Sequence, residues 1–204
     1  FDSQNIRYVF SSCNGDLTVF HHISSALAQE GRPVSPIKFH NSVHNAPAGY
    51  ASIVLQSNAP STSITAYKDS IANALLEAAV QSTISQQPCL LTAYDEVPPE
   101  PLHSLFPIAD DFSCSLLLVP KKNLDPVSNK NYKEEMLCRL DISITHKQKI
   151  SIMEQESLEF LRCSNPQAKI LPLLSAIAIK KKGTLYFNDN QQQIACKLSE
   201  FSGE

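Results

Sequence analysis

The stretch from Pro60 to Ala79 places residues that could do chemistry at the start of a helix. Branched and small side chains from Ser61 to Tyr67 predict a buried strand, and apolar residues at helical spacing from Asp69 onward predict a helix. Asp69 or Ser70 could satisfy the open N–H groups of that helix. Its N-terminus carries partial positive charge, so Lys68 lies where many α/β enzymes hold an anionic nucleophile.

Cysteine and histidine are the other candidates for chemistry. The six cysteines are Cys13, Cys89, Cys114, Cys138, Cys163 and Cys196. They form no CxxC pair and no Cys/His spacing suited to zinc, so we expect no metal site and no cofactor. Buried free thiols in a reducing compartment favour the cytoplasm. Cys13 could be a nucleophile with His21 or His22 as its base, although a small apolar residue after a buried strand explains it equally well.

Composition predicts one domain spanning residues 1–204. The chain has 204 residues, 43% of them hydrophobic, with net charge -3 and five glycines. Because no basic stripe is present, we expect no nucleic-acid partner. The longest apolar run, Ile170 to Ile179, is interrupted by Pro172 and is too short for a spanning helix, so we expect no membrane partner.

The elements that must position these residues alternate between strand and helix in the first half of the chain. The predicted elements there are a strand Arg7–Ser12, an Asn14-Gly15 turn, a helix from the cap Asp16 to Gln29, a loop Gly31–Pro36, a helix Gly49–Gln56, a strand Pro88–Tyr94, a solvated acidic loop Asp95–Pro101 and a central strand Ser113–Val119. The second half predicts a loop Lys121–Tyr132, an alternating strand Cys138–Thr145, helices Met153–Leu161 and Ala168–Lys180, and a hairpin of Thr184–Phe187 with Ile194–Leu198.

A set of short motifs resembles the N-terminal half of the β-ketoacyl synthases. The matching residues are Ser35, Pro36, Asn45, Ala48, Gly49, Ala59, Pro60, Ser61, the strand Thr62–Ala66, Ala78 and Ala79. The resemblance is strongest over residues 8–119 and lapses after Val119. It implies an α/β fold, a single thiolase-like half with a divergent, strand-rich C-terminal part.

The resemblance also predicts that the chain is not an enzyme. In this family a cysteine opens the helix after the short strand, and here that place falls on Lys68, or on Tyr67 if the register shifts by one residue. The histidine motifs of a synthase's second half are absent after Val119, and His146 lies alone in an alternating strand. The implied function is that of a chain-length-factor-like subunit. It would pair with a catalytic β-ketoacyl-ACP synthase in bacterial type II polyketide, fatty-acid-like or aryl polyene biosynthesis.

Two sets of residues follow from that resemblance as sites. Tunnel or gating candidates are Asp16, Val19, Phe20 and Ile23, although the same face would equally suit packing in the chain's own core. Candidates for the dimer interface are Lys38, Phe39, His40, His44, Asn45, Ser61, Thr62, Ser63, Ile64, Thr65, Ala66 and Tyr67. The strand from Ser61 would lie at a sheet edge and invite a partner strand. The implied partners are the ketosynthase, in a heterodimer or heterotetramer, and an acyl carrier protein reached through that complex.

Two other functions remain open from the sequence. One is a free-standing acyl-thioester transferase or hydrolase that uses Lys68, Tyr67, or Cys13 with His44. The other is a homodimeric module that binds an acyl carrier protein. The resemblance further suggests that Glu96 matches a structurally important glutamate at the end of a ketosynthase strand.

Overall fold

The computed structural model describes residues 3–121, 136–188 and 192–200. Its strands are β1 Arg7–Ser11, β2 Ser61–Ile64, β3 Cys89–Asp95, β4 Phe112–Leu118, β5 Arg139–Thr145, β6 Gly183–Phe187 and β7 Gln193–Ser199. Its helices are α1 Leu17–Leu27, α2 Pro36–Asn41, α3 Ala46–Val54, α4 Ser70–Ser85, α5 Leu102–Leu105, α6 Glu156–Ser164 and α7 Leu171–Ala178, with 3-10 turns at Ser3–Asn5, Tyr67–Asp69 and Gln167–Ile170. Apart from Lys121, the predicted loop Lys121–Tyr132 lies outside the described residues.

The first sheet has the strand order β2-β1-β3-β4. Strand β1 pairs in parallel with β2 and β3, with Val9 opposite both Thr62 and Leu91, and β4 is antiparallel to β3. The predicted edge position of β2 is confirmed, but its predicted length and burial are wrong, because the strand stops at Ile64 and no residue in it is fully buried. The prediction of β4 as a central strand is also wrong. It lies at the other edge, and alternate side chains face solvent.

The second sheet, β5-β7-β6, is wholly antiparallel. The alternating pattern correctly predicted β5, and the predicted hairpin is formed by β6 and β7. The two predicted helices of this half are shifted or shortened. The second is divided into a 3-10 turn and α7, because Pro172 occupies the first turn of α7 and cannot donate a backbone hydrogen bond.

Helix α4 is the centre of the core. Ile71, Leu75 and Ala78 are essentially inaccessible to solvent, and they share one hydrophobic cluster with Val9 of the first sheet and Cys196 of the second. Burial of each large aliphatic side chain contributes about 1.5–3 kcal/mol. The two sheets therefore pack into a common core through this helix, in an α/β fold.

Helices α1 to α3 lie outside that core. A second, smaller cluster joins Ala48 of α3 to Tyr8 and Phe10 on the other face of β1. Asp16 caps α1 as predicted, because its Oδ1 accepts a hydrogen bond from the Val19 N–H at 2.8 Å. The interpretation of α1 as a helix packed in the chain's own core is wrong, since no residue of α1 is fully buried.

Candidate functional site

The junction between β2 and α4 is a sharp turn, which we call the elbow, residues 65–70. Tyr67 has φ 52°, in the left-handed region that a branched or bulky residue rarely adopts. The buried Ser70 hydroxyl accepts from the Ala66 N–H at 2.8 Å and donates to the Tyr67 carbonyl at 2.7 Å. Asp69 lies at the N-cap of α4 as predicted, but the expected side-chain cap is wrong: Asp69 makes no cap hydrogen bond, and Ser70 bonds back to the elbow instead.

The elbow presents its two predicted site residues to solvent. Tyr67 is 51% exposed, and the Lys68 ammonium lies 5.6 Å from the centre of its ring. Behind them, the Lys169 ammonium is 3.9 Å from Asp69 Oδ1, where both side chains are largely buried. Two ammonium groups, those of Lys68 and Lys169, therefore lie near the elbow, and no thiol occupies the position of Tyr67 or Lys68.

Beneath the elbow, polar side chains join the ends of β1 and β3 to the turn after α6. We call Ser12, Cys13, Asp95, Asn165 and Gln167 the strand-end network. Asp95 Oδ1 accepts from the Ser12 hydroxyl and from the Cys13 N–H, both at 2.8 Å. Asn165 donates to the Asp95 carbonyl at 3.3 Å and accepts from the Gln167 N–H at 2.9 Å. The network thus fastens the second half of the chain to the first sheet.

The carboxyl group of Asp95 is the buried centre of this network. Its side chain is 3% exposed, so the prediction that Asp95 is solvated is wrong, whereas Glu96 is exposed as expected. Burial raises the pKa of Asp95, and the hydrogen bonds from Cys13 and Ser12 and a contact with Gln167 oppose that shift. Among the described residues, Asp95 Oδ2 and Gln167 Nε2 meet no partner at hydrogen-bond geometry.

Cys13 is held in a form that does not favour nucleophilic attack. Burial, followed by the charge of Asp95, raises the pKa of its thiol to about 12. His44, the proposed base, has Nε2 3.3 Å from the Ser12 carbonyl oxygen. His21 and His22 lie on α1 with ring centres 6.2 Å apart. In the part of the chain that the structure describes, no cluster of three or more His, Cys, Asp or Glu side chains could hold a metal ion.

A cavity of about 230 Å³ opens between the start of α1, the α2–α3 connection and the end of β3. Its lining residues are Gly15, Asp16, Asn41, Val43, His44, Ala46, Pro47, Tyr50, Tyr94 and Glu96. Of the four tunnel candidates, Asp16 lines this cavity and Val19, Phe20 and Ile23 do not. Of the interface candidates, His44 does.

The outer face of α1, α2 and α3 carries large apolar side chains that face solvent. We call these side chains the α1–α3 surface; they are Phe20, Leu27, Ile37, Phe39, Val43 and Tyr50, together with Ile53 and Val54 at the end of α3. Phe39 is 63% exposed. The helices are joined, because α1 packs on α2 and the Tyr50 hydroxyl of α3 donates to Asn41 Oδ1 of α2 at 2.6 Å. Large apolar side chains exposed on neighbouring helices are typical of a binding face.

Several residues of the site were not predicted from the sequence. Asn165 and Gln167 lie far along the chain from Asp95. The Asn165-Pro166 pair marked a break between helices, but nothing in it indicated a contact with β3. Ser70 was considered as a helix cap, and its bonds to the elbow depend on the left-handed turn at Tyr67.

The chain matches the sequence profile of the family described as "Beta-ketoacyl synthase, N-terminal domain" over residues 2–169. It belongs to the β-ketoacyl synthase N-terminal domain family. The matched range runs past Val119, where the recognised sequence motifs end, so the resemblance does not lapse there. No curated protein matches the chain.

Solved structures of ketosynthase and chain length factor complexes share this fold. One is the ketosynthase ApeO in complex with its chain length factor ApeC from Xenorhabdus doucetiae, with a TM-score of 0.64 at 20% identity, covering 95% of this chain and 70% of that chain. Another is the ishigamide ketosynthase/chain length factor, with a TM-score of 0.65 at 10% identity, covering 99% of this chain and 75% of that chain. The predicted thiolase-like α/β fold is confirmed.

Within the described ranges, no helix has both the length and the apolar character that crossing a bilayer requires.

Proposed function

We propose that this chain is a non-catalytic, chain-length-factor-like subunit. It pairs with a catalytic β-ketoacyl-ACP synthase and shapes the tunnel for the growing acyl or polyene chain, in aryl polyene or related type II polyketide biosynthesis. The observation that carries the proposal is the elbow, where a strand, a strained turn and a helix present Tyr67 and Lys68 in place of a thiol.

The geometry favours Tyr67 as the residue at the nucleophile's place. In strand–turn–helix enzymes the nucleophile occupies the strained residue of the turn, and here Tyr67 has the left-handed φ of 52°. A phenol without an adjacent base is a weak nucleophile at neutral pH. The nearby thiol, Cys13, has its pKa raised to about 12. The elbow therefore keeps an active-site shape without a reactive group.

The α1–α3 surface and the free edge of β2 supply the interface. Phe39 and Val43 are exposed apolar residues of the α1–α3 surface, and among the described strands β2 lies at the edge of its sheet, where a partner strand could pair. The interface hypothesis includes Lys38, His40, His44 and Asn45, in and after α2, and residues 61–67, which contain β2. A partner that covers both would bury the exposed apolar side chains and could add a strand to the sheet.

The decisive experiment is co-expression with a catalytic ketosynthase from the same organism, purification on a tag carried by this chain alone, and mass determination. We expect a complex with equal numbers of the two subunits in which the ketosynthase alone takes up an acyl group from an acyl carrier protein. As a control, a ketosynthase with its nucleophilic Cys replaced by Ala should bind equally and take up none. A homodimer, or acylation of the isolated chain, would contradict the proposal.

The gating role has its own test in the complex. Val19 and Ile23 are half-buried on α1, and Phe20 is 51% exposed, so their side chains can change in size without disturbing the core. Enlarging Val19 to Phe should shorten the products, and reducing Phe20 to Ala should lengthen them. Product lengths read by mass spectrometry that stay unchanged would remove the gating role and leave the pairing role intact.

A further inference from the structure

The cavity beside α1 has the chemistry of a socket for a cation. Asp16 and Glu96 supply two carboxylates, and Tyr50 and Tyr94 supply aromatic rings and hydroxyl groups. Among the described residues that line the cavity, none is Lys or Arg. Glu96 makes no hydrogen bond or ion pair with any other described residue, so among the described residues no partner offsets its charge.

The negative charges in and around this cavity act on one another. Burial, and then the charges of Asp16 and Asp111, raise the pKa of Glu96. Burial raises the pKa of Tyr94 to about 12, with further contributions from Asp95, Asp16 and Glu96. A positive group placed in the cavity would relieve this mutual repulsion, because opposite charges within a few ångströms favour the ionised carboxylates.

The mouth of the cavity opens onto the surface proposed for the partner. Val43 and Tyr50 are exposed members of the α1–α3 surface and also line the cavity, and Asn41 at the end of α2 joins them. A protein that contacts Val43 and Tyr50 would therefore also lie over this cavity. Because it would exclude water from two carboxylates, an interface without a matching cation would be penalised.

We propose that the cavity receives an arginine side chain from the ketosynthase subunit. The inference rests on the proposed function and adds the chemistry of the contact. A planar guanidinium has five N–H donors for the carboxylates of Asp16 and Glu96, and it stacks on aromatic rings such as those of Tyr50 and Tyr94. Arginine is also enriched among the side chains that anchor protein interfaces.

The test compares binding of the ketosynthase to the native chain and to an Asp16→Asn/Glu96→Gln double variant. Both changes keep the shape of the side chain, and Asn caps a helix as well as Asp does, so α1 retains its cap. We expect the dissociation constant to rise roughly 10- to 100-fold, and its dependence on salt concentration to weaken. An unchanged dissociation constant would overturn the inference while leaving the subunit pairing established.

Asp111→Asn is the matched control. Asp111 influences Glu96 but does not line the cavity, and Asn keeps the oxygen that accepts from the Val97 N–H at 2.7 Å. We expect this variant to bind almost as the native chain does. If Asp111→Asn weakens binding as much as the double variant does, the effect is a general attraction of a basic partner, and the inference that the cavity binds an arginine is overturned. Failure of the native chain to bind would instead overturn the proposed function.

A second measurement uses the isolated chain and needs no partner. N-acetyl-arginine methylamide should shift the NMR signals of the Gly15 and Asn41 amides, which line the cavity. The citrulline analogue has nearly the same shape without the charge and should leave them in place. Equal shifts from the two compounds, or arginine shifts that persist in the double variant, would count against a carboxylate socket.

Discussion

In the strand-end network, polar side chains from three parts of the chain bond one another at almost complete burial. On the α1–α3 surface, large apolar side chains such as Phe39 face water. The polar groups of the network bond mostly to one another, whereas the apolar side chains of the surface are exposed, which is typical of a binding face. This difference indicates that the strand ends and α4 stabilise the fold, and it is the basis for our proposal that α1 to α3 bind a partner.

The largest effect should follow from removal of the carboxyl group at the centre of the network. Asp95→Ala leaves the Ser12 hydroxyl and the Cys13 N–H without their acceptor in a buried site. We expect the free energy of unfolding to fall by about 3 kcal/mol in urea denaturation. Asp95→Asn keeps one oxygen acceptor and should lose less. Equal losses for the two variants would show that the hydrogen bonds contribute little.

The surface should respond in the opposite way. Phe39→Ser removes an exposed ring, so the free energy of unfolding should stay within about 0.5 kcal/mol of the native value. The dissociation constant for the ketosynthase should rise at least about tenfold, measured by calorimetry or surface plasmon resonance. Phe160 on α6 is the matched control, since it is 60% exposed and lies outside the α1–α3 surface. If Phe160→Ser weakens binding equally, the interface lies elsewhere or is unspecific.

The pH dependence of stability should identify the protonation state of Asp95. Because burial raises its pKa in the folded protein, the folded state holds this proton more tightly than the unfolded state does. The resulting stabilisation is fully present below the pKa of an unfolded Asp, about 4, and is lost as pH rises through the folded pKa. As pH rises from about 4 through the folded pKa of Asp95, the free energy of unfolding of the native chain should therefore decline relative to that of Asp95→Asn.

Glu159 provides the opposite dependence for comparison. Its hydrogen bond from Arg162 lowers the pKa of Glu159 to about 2, so its contribution is present at neutral pH and is lost as pH falls from its ordinary value toward 2. Both the native chain and Asp95→Asn contain this pair, so it cancels in their difference. If the difference in the free energy of unfolding between the native chain and Asp95→Asn is constant with pH, a raised pKa at Asp95 is contradicted.

Local signals in the sequence predicted most elements. Spacing of apolar residues located α4 and β5, and the Asp16 cap located the start of α1. Predictions failed where strand pairing or burial depends on residues that are distant in the sequence. The apolar run of β4 could not reveal that it pairs on one side alone, and the burial of Asp95 depends on Asn165 and Gln167 from the other half of the chain.

The site was predicted at the level of segments rather than atoms. Motif spacing placed the nucleophile's position on Lys68 or Tyr67, and it could not distinguish between them. The left-handed backbone at Tyr67 favours one of the two, and that conformation becomes visible only with the bonds that Ser70 makes across the folded turn. The roles of Lys38–Asn45 and of β2 at an interface remain predictions.

Substitutions at Tyr67 in the elbow should give the smallest effects. They are also the most diagnostic, because Tyr67 has a strained backbone and an exposed side chain. Glycine tolerates the left-handed φ of 52° at position 67, whereas alanine does not, so Tyr67→Gly should be about 1 kcal/mol more stable than Tyr67→Ala. At position 66, where φ is -146°, the preference should reverse, and Ala66→Gly should destabilise the chain. Both differences can be measured by urea denaturation.

Binding measurements on the same variants then distinguish the effect of the turn's conformation from that of the Tyr67 side chain. If the Tyr67 ring contacts the ketosynthase, the Gly and Ala variants at position 67 lose the same contact and should weaken binding by the same factor, despite their different stabilities. If Tyr67→Gly binds as tightly as the native chain, the ring makes no contact. The elbow would then be a remnant of the catalytic turn, and the interface would depend on the α1–α3 surface and the edge of β2.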